Sequence, residues 1–309
     1  MSAALGRLHP RDAAQVRDLR FVARGTAADL PAWARQWGDN SEEHSQRLGN
    51  DLSRSERGAG PIRLRSVVLH GALGLETPGF ERNARRAYEA LLEGIDPCAI
   101  ARVWNFVPGI STPIDATRNR YMAFNAARFA AFHDLPARPG FFPVATGVGH
   151  AGCDLVLHLV HGDFTVTPFA NPRQRAPEHY SERYGPLPPV FARAALVRVS
   201  RDESWFVIAG TASIVGEDSV HPDDFARQFD ETLLNLEQVA REAGRATGRD
   251  LPPGALSDWL VYLPDARRTA ELEAVLAQRL HPATHVEIRS QDLCREELLV
   301  EIECAGRID

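Results

Sequence analysis

The sequence contains no uninterrupted apolar run of the ~18 residues that a membrane-spanning helix needs, no block of basic residues and no Cys-x-x-Cys pair. Without the apolar run, no spanning helix is expected. Acidic residues (41) outnumber basic ones (35), for a formal net charge of −6. That balance lacks the electrostatic footprint of a nucleic-acid or membrane-surface binder. The four cysteines, Cys98, Cys153, Cys294 and Cys304, are widely spaced. They offer neither a disulfide frame nor zinc-ligand spacing, and they suit a reducing compartment. The opening "MSAALGRLHPRDAAQ" lacks the apolar stretch of a secretory leader. A cytoplasmic protein with no metal, no nucleic-acid partner and no membrane partner is therefore expected.

What is present suits a large folded core: 309 residues, 44% of them hydrophobic, enough for one large domain or two smaller ones. Residues 1–60 are polar, Arg-rich and weakly periodic, and are expected to form a variable N-terminal segment. Beyond them "RLRSVVLHGAL" predicts a strand. "GFERNARRAYEALLEGI" predicts an amphipathic helix with Phe80, Ala84, Tyr88 and Leu91 on one side. "CAIARVWNFVPG" reads as a strand, and "DATRNRYMAFNAARFAAFHDL" as a helix capped by Asp115. "NPRQRAPEHYSERYGPLPP" is too proline-rich for a helix or a central strand.

The last third predicts strands at "FARAALVRV", "WFVIAGTASIVG", "SDWLVYLPD", "THVEIRSQ" and "ELLVEIECAG". Helices are predicted at "HPDDFARQFDETLLNLEQVAREAG" and "RRTAELEAVLAQRL". The alternation implies an α+β fold, helices on one face of a sheet. "WNFVP" in the first half echoes "WLVYLP" in the second, which suggests a duplicated module. The expected divisions are 61–170 and 171–309.

The C-terminal strand raises the chemical question. Leu298, Val300, Ile302 and Cys304 alternate with Leu299, Glu301 and Glu303. Period two reads as a half-buried strand with both glutamates in solvent.

The final third resembles the YjgF-type imine-deaminase superfamily, through Gly210–Ser213, "FDETLLNLEQVAREAG", "WLVYLPD" and the terminal "VEIE". The resemblance implies mixed sheets backed by helices. It departs at Thr284, where that superfamily's deaminases carry a carboxylate-gripping arginine, which counts against imine deamination. A closer match covers residues 116–304. "RYMAFNAARFAAF", "PVATGVG", "NPRQ…YGPLPPVFARA", "GTASIVG" and "CREELLVEIE", in that order, resemble the chorismatase family, two-module relatives of the same fold. The resemblance implies cleavage of the enolpyruvyl ether of chorismate to pyruvate plus a ring acid, with no metal or redox cofactor.

Such chemistry needs a protonated carboxyl group and cations for two substrate carboxylates. The resemblance implies that Glu301 is the acid, with Glu303 left as an exposed strand residue. Tyr121, Asn125 and Arg128 share one helix face at i, i+4, i+7, and the small apolar neighbours of Arg128 suggest burial. Arg128 is thus one candidate carboxylate grip, or else a surface charge; Arg120 is a second choice. Phe191 and Arg193 share a strand face and suit an aromatic wall beside a clamp, unless Arg193 lies on a solvated edge. Tyr184 precedes the proline segment and is expected to orient ring oxygens with Tyr121. Gly210 is either a bulge or a point of close approach.

By the same resemblance, Ala212 and Cys294 tune the ring product. Cys294 points to 3-hydroxybenzoate, with 4-hydroxybenzoate a further candidate, and Ala212 to 3,4-dihydroxycyclohexa-1,5-diene carboxylate. Seven extended residues span about 23 Å, so Cys294 reaches Glu301 only if the chain turns between them. The rival readings are a YjgF-type imine or enamine hydrolase and a non-catalytic aromatic-acid sensor. A monomer or small homo-oligomer is expected.

Overall fold

The computed structural model describes residues 20–22, 29–35, 43–135, 141–252, 256–280 and 284–308. Most of the expected variable segment before residue 43 lies outside these.

Three antiparallel strands open the first sheet: β2 (His44–Arg47), β3 (Leu52–Ala59) and β4 (Ile62–Leu69); β1 (Arg20–Val22) and a short helix, α1 (Ala32–Arg35), precede them. Helix α2 (Thr77–Leu92), β5 (Ile100–Pro108), α3 (Arg120–His133), β6 (Ala145–His150) and β7 (Leu155–Gly162) follow. The sheet order is β2-β3-β4-β7-β5-β6, with β5 and β6 parallel and the other pairs antiparallel. Helix α2 buries Phe80, Ala84, Tyr88 and Leu91, the stripe its sequence spacing predicts.

The second sheet repeats this plan. Strands β8 (Thr165–Phe169), β9 (Ala194–Arg198) and β10 (Ser204–Ala212) are antiparallel neighbours. A small hairpin, β11 (Ile214–Val215) and β12 (Asp218–Ser219), leads to α4 (Phe225–Thr247). Then come β13 (Asp258–Tyr262), α5 (Thr269–Arg279), β14 (His285–Arg289) and β15 (Glu301–Ile308). Strand β14 runs parallel to β13, and β15 inserts between β10 and β13, as β7 does between β4 and β5. The echoing "WNFVP" and "WLVYLP" segments thus occupy equivalent strands, β5 and β13.

The sheets do not divide at the expected boundaries. Strands β2 and β3 fall within residues 1–60 yet pair into the first sheet, and β8 falls before residue 171 yet edges the second. The cause is local: β3 reads "LSRSERGA" and β2 is solvent-exposed throughout, so a polar edge hairpin shows no apolar periodicity.

The layers run helices, sheet, sheet, helices. Helices α2 and α3 cover the outer face of the first sheet, α4 and α5 that of the second, and the inner faces pack on each other around Trp33, Trp104 and Trp205. This overturns the expectation for the C-terminal strand. Ile302 and Cys304 face α4 and α5, while Glu301 and Glu303 point between the sheets at 5% and 1% exposure. Alternation shows only that the two faces differ; a second sheet keeps the polar one dry. The helix cap is also corrected. Asn119 caps α3 by accepting from the Met122 N–H at 3.0 Å, whereas Asp115 accepts from Thr117 and Arg118 in the turn before it.

Candidate active site

A cavity of about 320 Å³ opens where α3 and β6 meet the inner end of the second sheet. Helix α3 contributes Tyr121, Asn125 and Arg128; β6 contributes Thr146; and the 177–193 segment contributes Tyr180, Tyr184, Phe191 and Arg193. Strand β10 adds Gly210 and Ala212, and the approach to β15 adds Cys294, Arg295 and Glu301.

Glu301 opens β15, directly across the ladder from Ala212 on one side and Tyr262 on the other. Strand β10 is irregular between Ile208 and Thr211. At Gly210, in that bulge, a Cβ would stand 1.9 Å from Glu301 Oε1 and 2.8 Å from Thr146 Cγ2. Glycine is needed there because the carboxyl group fills the space a side chain would take. Burial, then the charge of Glu303, raises the Glu301 pKa to about 8, against opposing pulls from Arg102, Arg193 and Arg295. At neutral pH the carboxyl keeps its proton.

The chain does turn between Cys294 and Glu301: the Leu298 N–H donates to the Arg295 carbonyl at 3.2 Å, and Cys294 joins the cavity wall. Burial, then the Glu301 charge, pushes its thiol up to about 12. It is a protonated thiol, a weak donor rather than a nucleophile.

Arg128 is 3% exposed between the rings of Tyr88 and Phe132, each 5.7 Å from its guanidinium carbon. Its Nε and one terminal nitrogen have no hydrogen-bond partner, nor has either amide atom of Asn125. Arg193 donates to the Tyr180 hydroxyl at 2.7 Å and lies 4.9 Å from the Phe191 ring centre, with its Nε also unpartnered. Buried donors left open in this way fit an anion supplied by a ligand. Arg295 stacks 3.8 Å from the Tyr184 ring centre and donates to the Glu217 carbonyl at 2.8 Å and Ser219 Oγ at 3.1 Å. Tyr121, its pKa raised by burial, stays a phenol.

Arg120 does not reach the cavity. It turns the other way over Phe80 and donates to the carbonyls of Ala72, Leu73 and Leu75. One α-helical step of about 100° separates it from the Tyr121 face. Thr284, just before β14, does not line the cavity. Among the described residues, no group of three or more His, Cys, Asp or Glu is placed to hold a metal, and no helix is long and apolar enough to cross a membrane.

Residues 49–160 match the N-terminal domain model of FkbO/Hyg5-like chorismatases. A chorismatase of Streptomyces rapamycinicus is 32% identical over 212 residues, 66% of this chain and 63% of that protein. A 3-hydroxybenzoate synthase of Streptomyces hygroscopicus is 29% identical over 241 residues, 74% of this chain and 70% of that protein. A crystal structure of a chorismatase superposes with a TM-score of 0.73 at 26% identity, covering 87% of this chain and 80% of that one. Over most of its length the chain is similar to chorismatases. It spans just under two thirds of the length of the Streptomyces rapamycinicus relative.

Several residues of this cavity escape sequence reasoning. Arg295 adjoins Cys294 in "CREE", but only the turn after it directs the guanidinium inward. Tyr180 lies in the proline-rich stretch and Thr146 in "PVATGVG", where nothing local singles either out. Glu303 was expected in solvent; it is ion-paired with Arg102 and accepts from Trp104 Nε1 at 2.9 Å.

Proposed function

We propose that the chain is a chorismatase, cleaving the enolpyruvyl ether of chorismate to pyruvate and a hydroxybenzoate, chiefly 3-hydroxybenzoate. The observation that carries the reading is a buried, proton-bearing Glu301 in a cavity whose arginines keep unpartnered donors. A dicarboxylate with a protonatable enol ether uses both features. Arg128 and Arg193 take the two carboxylates, and Tyr121 and Tyr184 orient ring oxygens. Glu301 gives its proton to the ether's terminal methylene carbon. A C–H bond forms as the O–H bond breaks, and the adjacent carbon becomes an oxocarbenium centre stabilised by the ether oxygen. Breaking the ring C–O bond releases pyruvate as the neighbouring ring hydroxyl, returning a proton to the Glu301 carboxylate, closes on the vacated carbon. Opening that epoxide at its original C–O bond, with protonation of the oxygen and loss of the proton on the carbon that keeps it, leaves 3-hydroxybenzoate. Chorismate is isomeric with pyruvate plus hydroxybenzoate, so that outcome consumes no water; addition of water gives the dihydroxy-diene acid instead. The name of one relative, the Streptomyces hygroscopicus 3-hydroxybenzoate synthase, and a protonated Cys294 on the wall beside Glu301 support 3-hydroxybenzoate.

The test is incubation with fresh chorismate, reading pyruvate enzymatically and ring acids by chromatography. Pyruvate with 3-hydroxybenzoate is expected. The dihydroxy-diene acid would keep the reaction class and reject the product, whereas binding without pyruvate would favour the aromatic-acid sensor. Glu301→Gln is expected to lower kcat about 10²- to 10⁴-fold. In the wild type, activity should fall as pH rises through about 8, where the Glu301 proton is lost.

A further inference from the structure

Two residues past the proposed acid, Glu303 is ion-paired with Arg102, which is fully buried. The proposed reaction uses neither group. A buried ion pair is a weak stabiliser, and packed apolar side chains of similar volume often do as well or better. Its hydrogen bonds suggest another role. Glu303 Oε2 accepts from Arg102 and from Thr146 Oγ1, the latter at 2.7 Å, while Oε1 accepts from Trp104. The Thr146 hydroxyl in turn accepts from the Gly210 N–H at 2.8 Å and from Arg102. One hydroxyl therefore links Glu303 to the glycine whose missing side chain leaves room for the Glu301 carboxyl. Directly along β15, Glu301 and Glu303 share a face about 7 Å apart.

We propose that Glu303, with Arg102 and Thr146, is a positioning unit that fixes the β10 bulge against Glu301 and sets a buried carboxylate beside that carboxyl. The inference rests on reading Glu301 as the proton donor. The groups facing Glu301 show why Glu303 matters. Guanidiniums approach from β5 (Arg102), from the segment before β9 (Arg193) and from the turn before β15 (Arg295), and all three favour ionisation; Arg128 on α3 lines the same cavity. Tyr121 on α3, Tyr262 on β13 and Cys294 are held protonated by burial. Glu296 and Glu297 also line the cavity but are exposed, where water screens them. Glu303 is the buried carboxylate that works the other way.

Carbon-13 NMR of protein labelled at the glutamate carboxyls reads the Glu301 titration without substrate, with Glu301→Gln assigning the signal. In Glu303→Gln the Glu301 midpoint should fall by about one pH unit, and the alkaline limb of kcat/KM should move with it. Glu303→Gln leaves Arg102 unpaired, so the double variant Glu303→Gln/Arg102→Gln removes the pair as a unit; its midpoint should lie between those of wild type and the single variant. Thr146→Val should lower kcat roughly 10- to 100-fold at nearly unchanged KM, and Thr146→Ser should restore most of it. An unmoved Glu301 midpoint in the folded variants, or a fully active Thr146→Val, overturns the inference. A shifted midpoint in a protein that releases no pyruvate from chorismate would uphold the electrostatic coupling and sink the proposed reaction instead.

Discussion

At Glu301, burial and the neighbouring Glu303 charge act in the same direction, and three guanidiniums act against them. The folded chain therefore holds a proton that the unfolded chain releases at ordinary carboxylate pH. The sign for stability follows: between the unfolded midpoint of about 4.3 and the folded value of about 8, native protein binds more protons, so stability falls as pH rises. Glu301→Gln removes the ionisable group. At pH 8 it should be more stable than wild type by roughly 1–3 kcal/mol, with the difference vanishing below pH 4, as urea midpoints across pH will show. Gly210 gives a complementary case. Gly210→Ala places a methyl within 1.9 Å of Glu301 Oε1, and the flexible carboxyl is what yields. Turnover should drop at least about ten-fold while stability falls by about 1–3 kcal/mol, which kcat measured beside a thermal melt separates.

At the scale of elements, helix α3 delivers Tyr121, Asn125 and Arg128 to one cavity wall because seven residues make nearly two turns. The opposite rim depends on a hairpin. Glu217, in the β11–β12 turn, accepts from the Ser181 N–H at 2.9 Å and hydroxyl at 2.6 Å and pairs with Arg175 at 3.1 Å. These bonds tie down the segment that carries Tyr180 and Tyr184, while the hairpin also anchors Arg295. Glu217→Ala should raise KM for chorismate about ten-fold, the loss of about one charge-assisted hydrogen bond, with little change in melting temperature. An unchanged KM would mean that the segment holds its place without the hairpin.

At the scale of the molecule, two like sheets meet face to face, and Trp33 bridges them. Its ring stacks on Trp205 of β10 with centroids 6.2 Å apart and tilts against Trp104 of β5 at 5.5 Å. Arg289, itself paired with Glu287, donates to the Asp29 and Leu30 carbonyls and holds this segment in place. Trp33→Ala should cost about 3–5 kcal/mol, seen as a lower urea midpoint at unchanged slope. A midpoint within error of wild type would show that the sheets pack without it.

The sequence by itself determined the helices with strong apolar stripes, the order of strands around them and, through ordered motifs, most of the residues that line the cavity. Those features depend on spacings of a few residues or on side chains that the chain order already groups. Tertiary structure alone decided which polar positions are dry. Arg120 and Arg128 lie on one helix, yet both terminal nitrogens of Arg120 go to backbone carbonyls while one terminal nitrogen of Arg128 stays open beside the cavity, according to what packs beyond each face. Glu303 meets Arg102, 201 residues away, and Thr146, 157 away, and no local pattern encodes either meeting. A carboxyl's proton affinity depends on how much water reaches it and which charges stand near it, and both were settled only when the second sheet closed over the first.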